Sequence, residues 1–341
     1  QTYTAGKRLK KTISNTEMLQ GKELILATRP YAQEQRLKSW FHALSTLTLL
    51  VGLTVVILMV PIWPVRITSS IFLGLVIVRM FIIYHDYLHQ SILQHSVFAN
   101  AIMTLFGLYI LAPKSIWRRS HNYHHDHNSK LFSASIGSYP IATKSKFLNM
   151  KPSERRAYLA IRHPLTITFG YITMFILGMC VSSFASSPRR HWDSLLALVL
   201  HAILITLVIV FFGWQVWLLA IFLPFLIAEG IGSYLFYAQH NFPGVVFQEN
   251  PDWTYEKAAL ESSSYMVTNP FMSWVTGNIG YHHIHHLNSR IPFYRLPEVM
   301  RDFPELQGAA RTSLKFRDIK NCLSLKIWDP ERNQMISLRE L

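Results

Sequence analysis

Two motifs in this sequence have the residue type and the spacing to bind metal. They share the pattern HxxHH, and their histidines are His121, His124, His125, His282, His285 and His286. On a helix, residues at i, i+3 and i+4 lie on one face, so each motif brings three imidazoles to one region. Imidazole nitrogen is a ligand for zinc, copper, iron and nickel. The repeated spacing therefore predicts a metal site built from both motifs.

A third pair of histidines could supply the same site. His85 and His89, in the stretch HDYLHQS, have the i, i+4 spacing of neighbours on a helix. These eight imidazoles exceed what one ion needs, so they favour two metals over a solvated histidine tract. Zinc hydrolysis is the chemical rival, but there is no HExxH motif, and a catalytic zinc uses three protein ligands. Redox chemistry is therefore the prediction.

The composition of the chain predicts a membrane protein. Of its 341 residues, 50% are hydrophobic and 15% are charged, which is too apolar for a soluble protein of this length. The net charge of +14 is concentrated: residues 1–42 hold eight Lys/Arg against three Asp/Glu, and residues 114–164 hold ten against two. Both segments flank apolar stretches, so the positive-inside rule explains them and puts them in the cytoplasm. Nucleic-acid binding is not predicted.

The first apolar segments predict one outward span and its return. Residues 43–63 cross first and residues 67–84 return, with Arg79 near a helix end where its charge can reach the interface. Residues 97–112 are apolar but short. If they crossed, the first two histidine motifs would lie on opposite faces of the membrane. They are therefore predicted to form an in-plane or re-entrant helix.

Three further apolar segments precede the last motif, at residues 165–185, 194–212 and 214–236. Only two of them can cross, because the last motif must return to the cytoplasmic face, and the sequence leaves open which one does not. Ser187 is expected on the outer face and Ser129 on the inner face. Glu229 is a functional candidate because carboxylates are rare inside membranes, and a hydrogen-bonded structural acid is the alternative.

The predicted fold is thus an all-α integral membrane protein with about four transmembrane helices, in-plane helices and a cytoplasmic helical cap. The predicted domains are an N-terminal arm (1–42), a transmembrane region with the first two motifs (43–242) and the cap with the third (243–341). The histidines follow helix ends. A metal transporter, the alternative from another class, would place them along a path in mid-membrane.

At these motifs the sequence resembles the membrane fatty acid desaturases, within the fatty acid desaturase and hydroxylase superfamily. HDYLHQS resembles their first histidine box and WRRSHNYHH their second. GNIGYHHIHHLNSRIPFY resembles the third box of the acyl-lipid enzymes of the delta-12 and omega-3 type, and AQHNFP their extra histidine after the last helix. The similarity runs from about residue 79 to residue 300. Tyr87-Leu88 departs from it, since many relatives have Cys-Gly there.

Carried over by position, the resemblance implies nine metal ligands. They are His85, His89, His121, His124, His125, His240, His282, His285 and His286. On spacing alone His240 is a lone histidine, and AQHNFP makes it a ligand. Polar neighbours that could support the ligands from outside are Asp86, His95, His127, Asn241, Asn278 and His283. No catalytic side chain beyond the ligands is predicted.

The resemblance also implies the chemistry. Two iron ions, which zinc could replace in purified protein, would use dioxygen and two electrons to insert a cis double bond into a fatty acyl chain of a membrane lipid. Phe236, Tyr237 and Trp274 could line a tunnel for that chain. Electrons would come from a separate donor of the ferredoxin or cytochrome b5 type. The alternative is a membrane di-iron hydroxylase or carotenoid oxygenase of the same superfamily.

Overall fold

Helices form most of the chain. The structure, a computed structural model, describes residues 19–130, 139–247 and 253–341. In chain order the helices are α1 (Gly21–Thr28), α2 (Arg36–Met59), α3 (Trp63–Leu88), α4 (Val97–Tyr109), α5 (Lys114–Asp126), α6 (Lys144–Asn149), α7 (Pro152–Ile161), α8 (Pro164–Thr168), α9 (Tyr171–Ser186), α10 (Trp192–Phe212), α11 (Trp214–Ala238), α12 (Tyr255–Glu261), α13 (Pro270–Val275), α14 (His282–Leu287), α15 (Leu296–Asp302) and α16 (Phe316–Ser324). The strands are β1 (Ala142–Thr143), β2 (Tyr265–Val267), β3 (Arg311–Ser313), β4 (Leu325–Asp329) and β5 (Gln334–Ser337).

Four of these helices, α2, α3, α10 and α11, are long and apolar enough to cross a membrane. A helix satisfies its own backbone hydrogen bonds, which lipid cannot do for it. Pro64 lies in the first turn of α3, where no intrahelical N–H is needed. Gly213, with φ of 88°, makes the tight reversal between α10 and α11. The prediction of an all-α membrane protein with about four crossings is confirmed.

Two shorter apolar segments do not form straight spans. Helices α4 and α5 meet at a bend of 90°, which agrees with an in-plane or re-entrant segment before the second histidine motif. Helix α9 is also short, and residues 165–185 form α8, a break and α9. Of the three apolar segments that precede the last motif, this one is therefore the segment that does not cross.

The contacts of residues 162–194 show that this segment enters the bundle and returns. Arg162 donates to Asn241 Oδ1 at 2.6 Å, beside the end of α11 that precedes His240. Gly170 lies deeper, since a Cβ there would be 2.6 Å from the carbonyl oxygen of Glu229. Ser183 Oγ is then 2.9 Å from Ser194 Oγ in the first turn of α10.

The return fixes the side on which Ser187 lies. Ser115 at the start of α5 donates from its hydroxyl to Asp193 Oδ1 at 2.5 Å, and α5 carries the second histidine motif. The first turn of α10 therefore lies at the same end of the bundle as that motif. The expectation that Ser187 lies on the outer face is wrong, because the segment before it turns back instead of crossing.

The expectation that the charge of Arg79 reaches a membrane interface is not met. It is buried, and its guanidinium lies 3.2 Å from Thr46 Oγ1 and 3.1 Å from His42 Nδ1, both on α2. It also donates to the carbonyl of Trp274 and packs over the Trp274 ring. These partners replace the water that a charged side chain would otherwise seek. Arg79 therefore joins α2, α3 and α13 below the metal site.

The predicted cap contains strands as well as helices. β4 pairs with β5 antiparallel and with β1 in parallel, and β2 pairs with β3 in parallel. Of these strands, β1, β2 and β3 have two or three residues and are too short for an alternating pattern to predict them. Leu325 connects this part to the bundle, because its carbonyl accepts from the hydroxyl of Tyr237 at 2.9 Å. The three domain boundaries stay predictions, and α2 already begins at Arg36.

Candidate metal centre

The nine histidines implied by the resemblance lie together in two groups. In each group the candidate ligand nitrogens are all within 4.8 Å of one another. The five-histidine group contains His85, His89, His121, His125 and His285, and the four-histidine group contains His124, His240, His282 and His286. They are brought together by α3, α5, the turn after α11, and α14.

Each HxxHH motif divides its imidazoles between the two groups. On α5, the i and i+4 residues His121 and His125 belong to the five-histidine group, and the i+3 residue His124 belongs to the other. On α14 the division is reversed, since His285 joins the five-histidine group. Residues three and four apart are rotated differently around a helix, so one motif can face two adjacent points. The two helices therefore connect the groups.

The spacing of the nitrogens fits metal ligation. Two nitrogens bound to one ion at ~2.0–2.1 Å, with angles near ~90–110°, would be roughly 2.9–3.4 Å apart. The Nε2 atoms of His85 and His121 are 2.9 Å apart, as are those of His240 and His282. Within the five-histidine group the His121–His125 separation is 3.3 Å. The donor set, composed of imidazoles alone, suits iron or zinc.

Outer hydrogen bonds orient two of these rings. His240 donates from Nδ1 to the carbonyl of Ser262 at 2.9 Å, and His85 Nδ1 lies 3.2 Å from Asp86 Oδ1. A proton on Nδ1 leaves the lone pair of Nε2 directed into the group, as ligation requires. Asp86 is itself held in place, because its Oδ2 accepts from the backbone N–H of Phe293 at 2.7 Å.

Burial keeps the imidazoles of the two motifs neutral. It holds the pKa of His124 well below its usual range, and the neighbouring His240 adds to the effect. For His285 burial acts in the same direction, with His89 as the next cause. Burial lowers the pKa of His240 to about 4, although its bond to Ser262 opposes the shift. Neutral rings are the form that binds metal.

The other five polar candidates lie outside both groups. His283 is buried beside the histidines, but its Nε2 lies 3.1 Å from the carbonyl oxygen of Leu306. Asn241 binds Arg162 and donates to the carbonyl of Cys322 at 2.7 Å. The side chains of the remaining three are directed elsewhere or exposed: His127 stacks on Tyr123, Asn278 donates to the carbonyl of Phe293, and His95 is exposed.

An apolar cavity of about 570 Å³, counting its opening, begins at the histidines. It touches both groups, through His85 and His121 on one side and His282 on the other. Its walls include Ile77, Val78, Phe81, Ile82, Phe175 and Phe236. Of the predicted tunnel residues, only Phe236 is here. Tyr237 lines a second, more polar cavity beside His124, and Trp274 packs on Arg79.

Two residues of α3 in the cavity wall were not predicted, although the sequence contained a signal for them. Ile77 and Phe81 precede His85 by two turns and one turn, on the helix face that carries this ligand. Phe175 had no such signal, because it lies on α9, whose return into the bundle could not be read from hydropathy. Trp117 stacks on His121 with ring centres 4.8 Å apart, and so supports it from the buried side.

These features define a membrane protein with two adjoining histidine groups able to hold metal. A sequence model of the fatty acid desaturase family matches residues 61–316, and the chain belongs to that family. It is therefore an oxidoreductase, a fatty acid desaturase, as the histidine boxes predicted.

Relatives of known activity agree with the family. The fatty acid desaturase of Bacillus subtilis (strain 168) is 30% identical over 264 residues, which are 77% of this chain and 74% of that protein. The sn-1 acyl-lipid omega-3 desaturase (ferredoxin) of Nostoc sp. (strain 36) is 25% identical, covering 67% and 64%. The sn-1 oleoyl-lipid 12-desaturase of Picosynechococcus sp. is 22% identical, covering 82% and 80%.

Proposed function

We propose that this enzyme inserts a cis double bond into a fatty acyl chain at a di-iron centre, and that the nine histidines of the two groups are the ligands. One observation carries the proposal: an apolar cavity opens onto both groups at once. A hydrocarbon segment in this cavity would lie beside both ions.

Iron is the metal that the family and the imidazole donors favour, with zinc as a possible replacement in purified protein. When bound, an iron pair supplies the oxidising power to remove two hydrogens from adjacent carbons, consuming dioxygen, two electrons and two protons and releasing two waters. The protein supplies the ligands and their orientation. Asp86 and the carbonyl of Ser262 hold the rings of His85 and His240 in the ligating tautomer.

The walls of the cavity bind and orient the acyl chain. Phe81 on α3 and Phe236 on α11 face each other with ring centres 6.2 Å apart, and Phe175 of α9 closes a third side. Their apolar surfaces exclude water from the oxidised segment, which prevents side reactions. They also fix the position of the chain, so that the reaction occurs at one bond.

The substrate and the electron donor are inferred from relatives and from charge. Two relatives are named as acyl-lipid or oleoyl-lipid enzymes and one name includes ferredoxin, so we propose an acyl lipid substrate and a small acidic donor of the ferredoxin or cytochrome b5 type. Arg118 and Arg119 are exposed on α5, the helix that also carries His121. A donor attracted to this basic face would dock close to the metals. By the positive-inside rule the face is cytoplasmic.

The test is expression in a host without polyunsaturated lipids, with a supplied electron donor, followed by mass spectrometry of the fatty acid esters. A new double bond in the wild type and none in H124A supports the proposal. A hydroxylated acid or an oxidised carotenoid without a new double bond would assign the chain to the alternative chemistry of the superfamily.

A further inference from the structure

Glu229 lines the apolar cavity, and its carboxyl group has no hydrogen-bond partner among the described residues. Only 3% of this residue is exposed, and neither carboxyl oxygen has a hydrogen-bond partner in the described part of the chain. Buried polar groups are ordinarily hydrogen-bonded, and a structural acid would be. Glu229 lines the cavity that begins at the histidines. Its position therefore indicates a role in that cavity.

Glu229 lies at the far end of the cavity from the metals. The residues of α11 and its C-cap that line the cavity lie three or four positions apart along one helix face: Ala228, Glu229, Gly232, Leu235, Phe236 and Gln239. Glu229 precedes His240 by eleven residues, which is roughly 16 Å along a helix. On α3 the lining residue furthest from His85 is Ile77.

Just beyond Glu229 the two helices that form the cavity touch each other. A Cβ at Gly74 of α3 would lie 2.9 Å from Ile227 Cβ and 3.0 Å from the carbonyl oxygen of Pro224, both on α11. No space remains there for a chain. One turn nearer the metals, Gly232 has no side chain, and a Cβ there would still be 4.0 Å from Phe175. The cavity is thus open at Gly232 and closed beyond Glu229.

Building on the proposed acyl substrate, we propose that Glu229 is the floor of the cavity and determines which carbon–carbon bond lies at the metals. The methyl end of the chain enters first, because the walls of the cavity are apolar and a polar head group would stay near the surface. The chain stops where the cavity meets the carboxyl group, which an alkyl end cannot hydrogen-bond. The bond that reacts is therefore counted from the methyl end.

This assignment predicts opposite effects for two substitutions. E229A frees the space of the Glu229 side chain above the contact of α3 with α11, so the chain enters further and the double bond forms further from the methyl end. Since each buried methylene changes binding by roughly fourfold, space for two more should raise the ratio of the displaced isomer to the original by about fifteenfold. G232L fills the passage one turn above the floor, so the bond should form nearer the methyl end.

The experiment measures bond position by mass spectrometry in the wild type, E229A, G232L and two controls. E229Q keeps the size and polarity of the floor and should keep the wild-type position. L73A creates space at a buried site of α3 that does not line the cavity, and it should also leave the position unchanged.

The outcomes separate this inference from the proposed function. If the wild type forms no double bond, the proposed function fails. If the wild type forms one and E229A does not move it, Glu229 is not the floor and the inference is overturned. A displaced bond in E229Q or L73A equal to that in E229A would overturn it as well. If E229A does not accumulate, E229S, which also shortens the side chain at this position, takes its place in the comparison.

Discussion

His283 and His285 are separated by one residue on α14, yet the structure gives them different surroundings. His285 Nε2 lies 3.1 Å from His125 Nε2 in the five-histidine group, whereas His283 faces the carbonyl of Leu306. We expect H285A to lose iron and desaturation, because an open coordination shell holds the ion less tightly. H283A should retain iron and lose about 1–3 kcal/mol of stability, because the Leu306 carbonyl becomes unpaired. Elemental analysis and thermal unfolding of both variants measure this; full iron and activity in H285A would rule out its role as a ligand.

Asp86 should raise the affinity of the site for iron without being a ligand itself. Its carboxylate lies between His85 Nδ1 and the backbone N–H of Phe293, so it orients the ring from behind. D86N keeps the size but weakens the hydrogen bond to the ring, and we expect iron affinity to fall by about 10–100-fold. D318N is a matched control, since Asp318 accepts from Ser313 in the cap, in a segment that carries no histidine of either group. Iron titration with a competing chelator provides the measurement, and equal affinities in the two variants would contradict the prediction.

At the scale of the helices, the sequence predicted that the nine histidines meet, but it did not predict which of them belong to which group. The i, i+3 and i+4 spacing fixes one face of α5 and of α14, and nine histidines do come together. Whether His124 joins His121 or His240 depends on how α5 packs against α11, which is a tertiary property. Local spacing carries no information about it. The same limit applies to Phe175, which reaches the cavity from a segment distant in sequence.

Hydropathy could not separate a span from a re-entrant segment. Residues 165–185 are as apolar as a crossing helix, but α8 ends at Thr168 and Gly170 allows close contact, since a Cβ there would be 2.0 Å from Ser233 Oγ. The chain therefore turns back where it packs against α11. Glycine is common in membrane segments, so the presence of Gly170 in the sequence did not indicate a turn.

The fold predicts the sides on which three introduced cysteines can be labelled. S153C and S187C should react from the side of the histidine motifs, and Q215C, at the α10–α11 reversal, from the opposite side. Background should be low because Cys180 and Cys322 are both buried. Labelling of sealed vesicles with an impermeant maleimide, before and after permeabilisation, shows on which side of the membrane each cysteine lies. Reaction of S187C and Q215C from one side would contradict four crossings with a re-entrant α9.

At the scale of the whole molecule, the metals should hold the cap against the membrane helices. The five-histidine group joins α3 and α5 to α14, and the four-histidine group joins α5 and the end of α11 to α14. Among the described residues, the remaining polar contacts of this junction include Asp86 with Phe293 and Gln239 with the carbonyl of Ile279. Without ions, neutral imidazoles 2.9–3.3 Å apart provide only weak attraction between these elements.

Removal of iron should therefore loosen the cap before it unfolds the membrane helices. A ligand present at a hundredfold excess over its Kd stabilises a fold by about 2.7 kcal/mol, which for a chain of this size shifts Tm by roughly 4 °C. We expect chelation to lower Tm by that amount and to expose α14 to protease, while α2 and α3 stay protected. H285A should show a smaller chelator effect, because one group is already impaired. An unchanged Tm and cleavage pattern after complete iron removal would show that packing alone holds the cap in place.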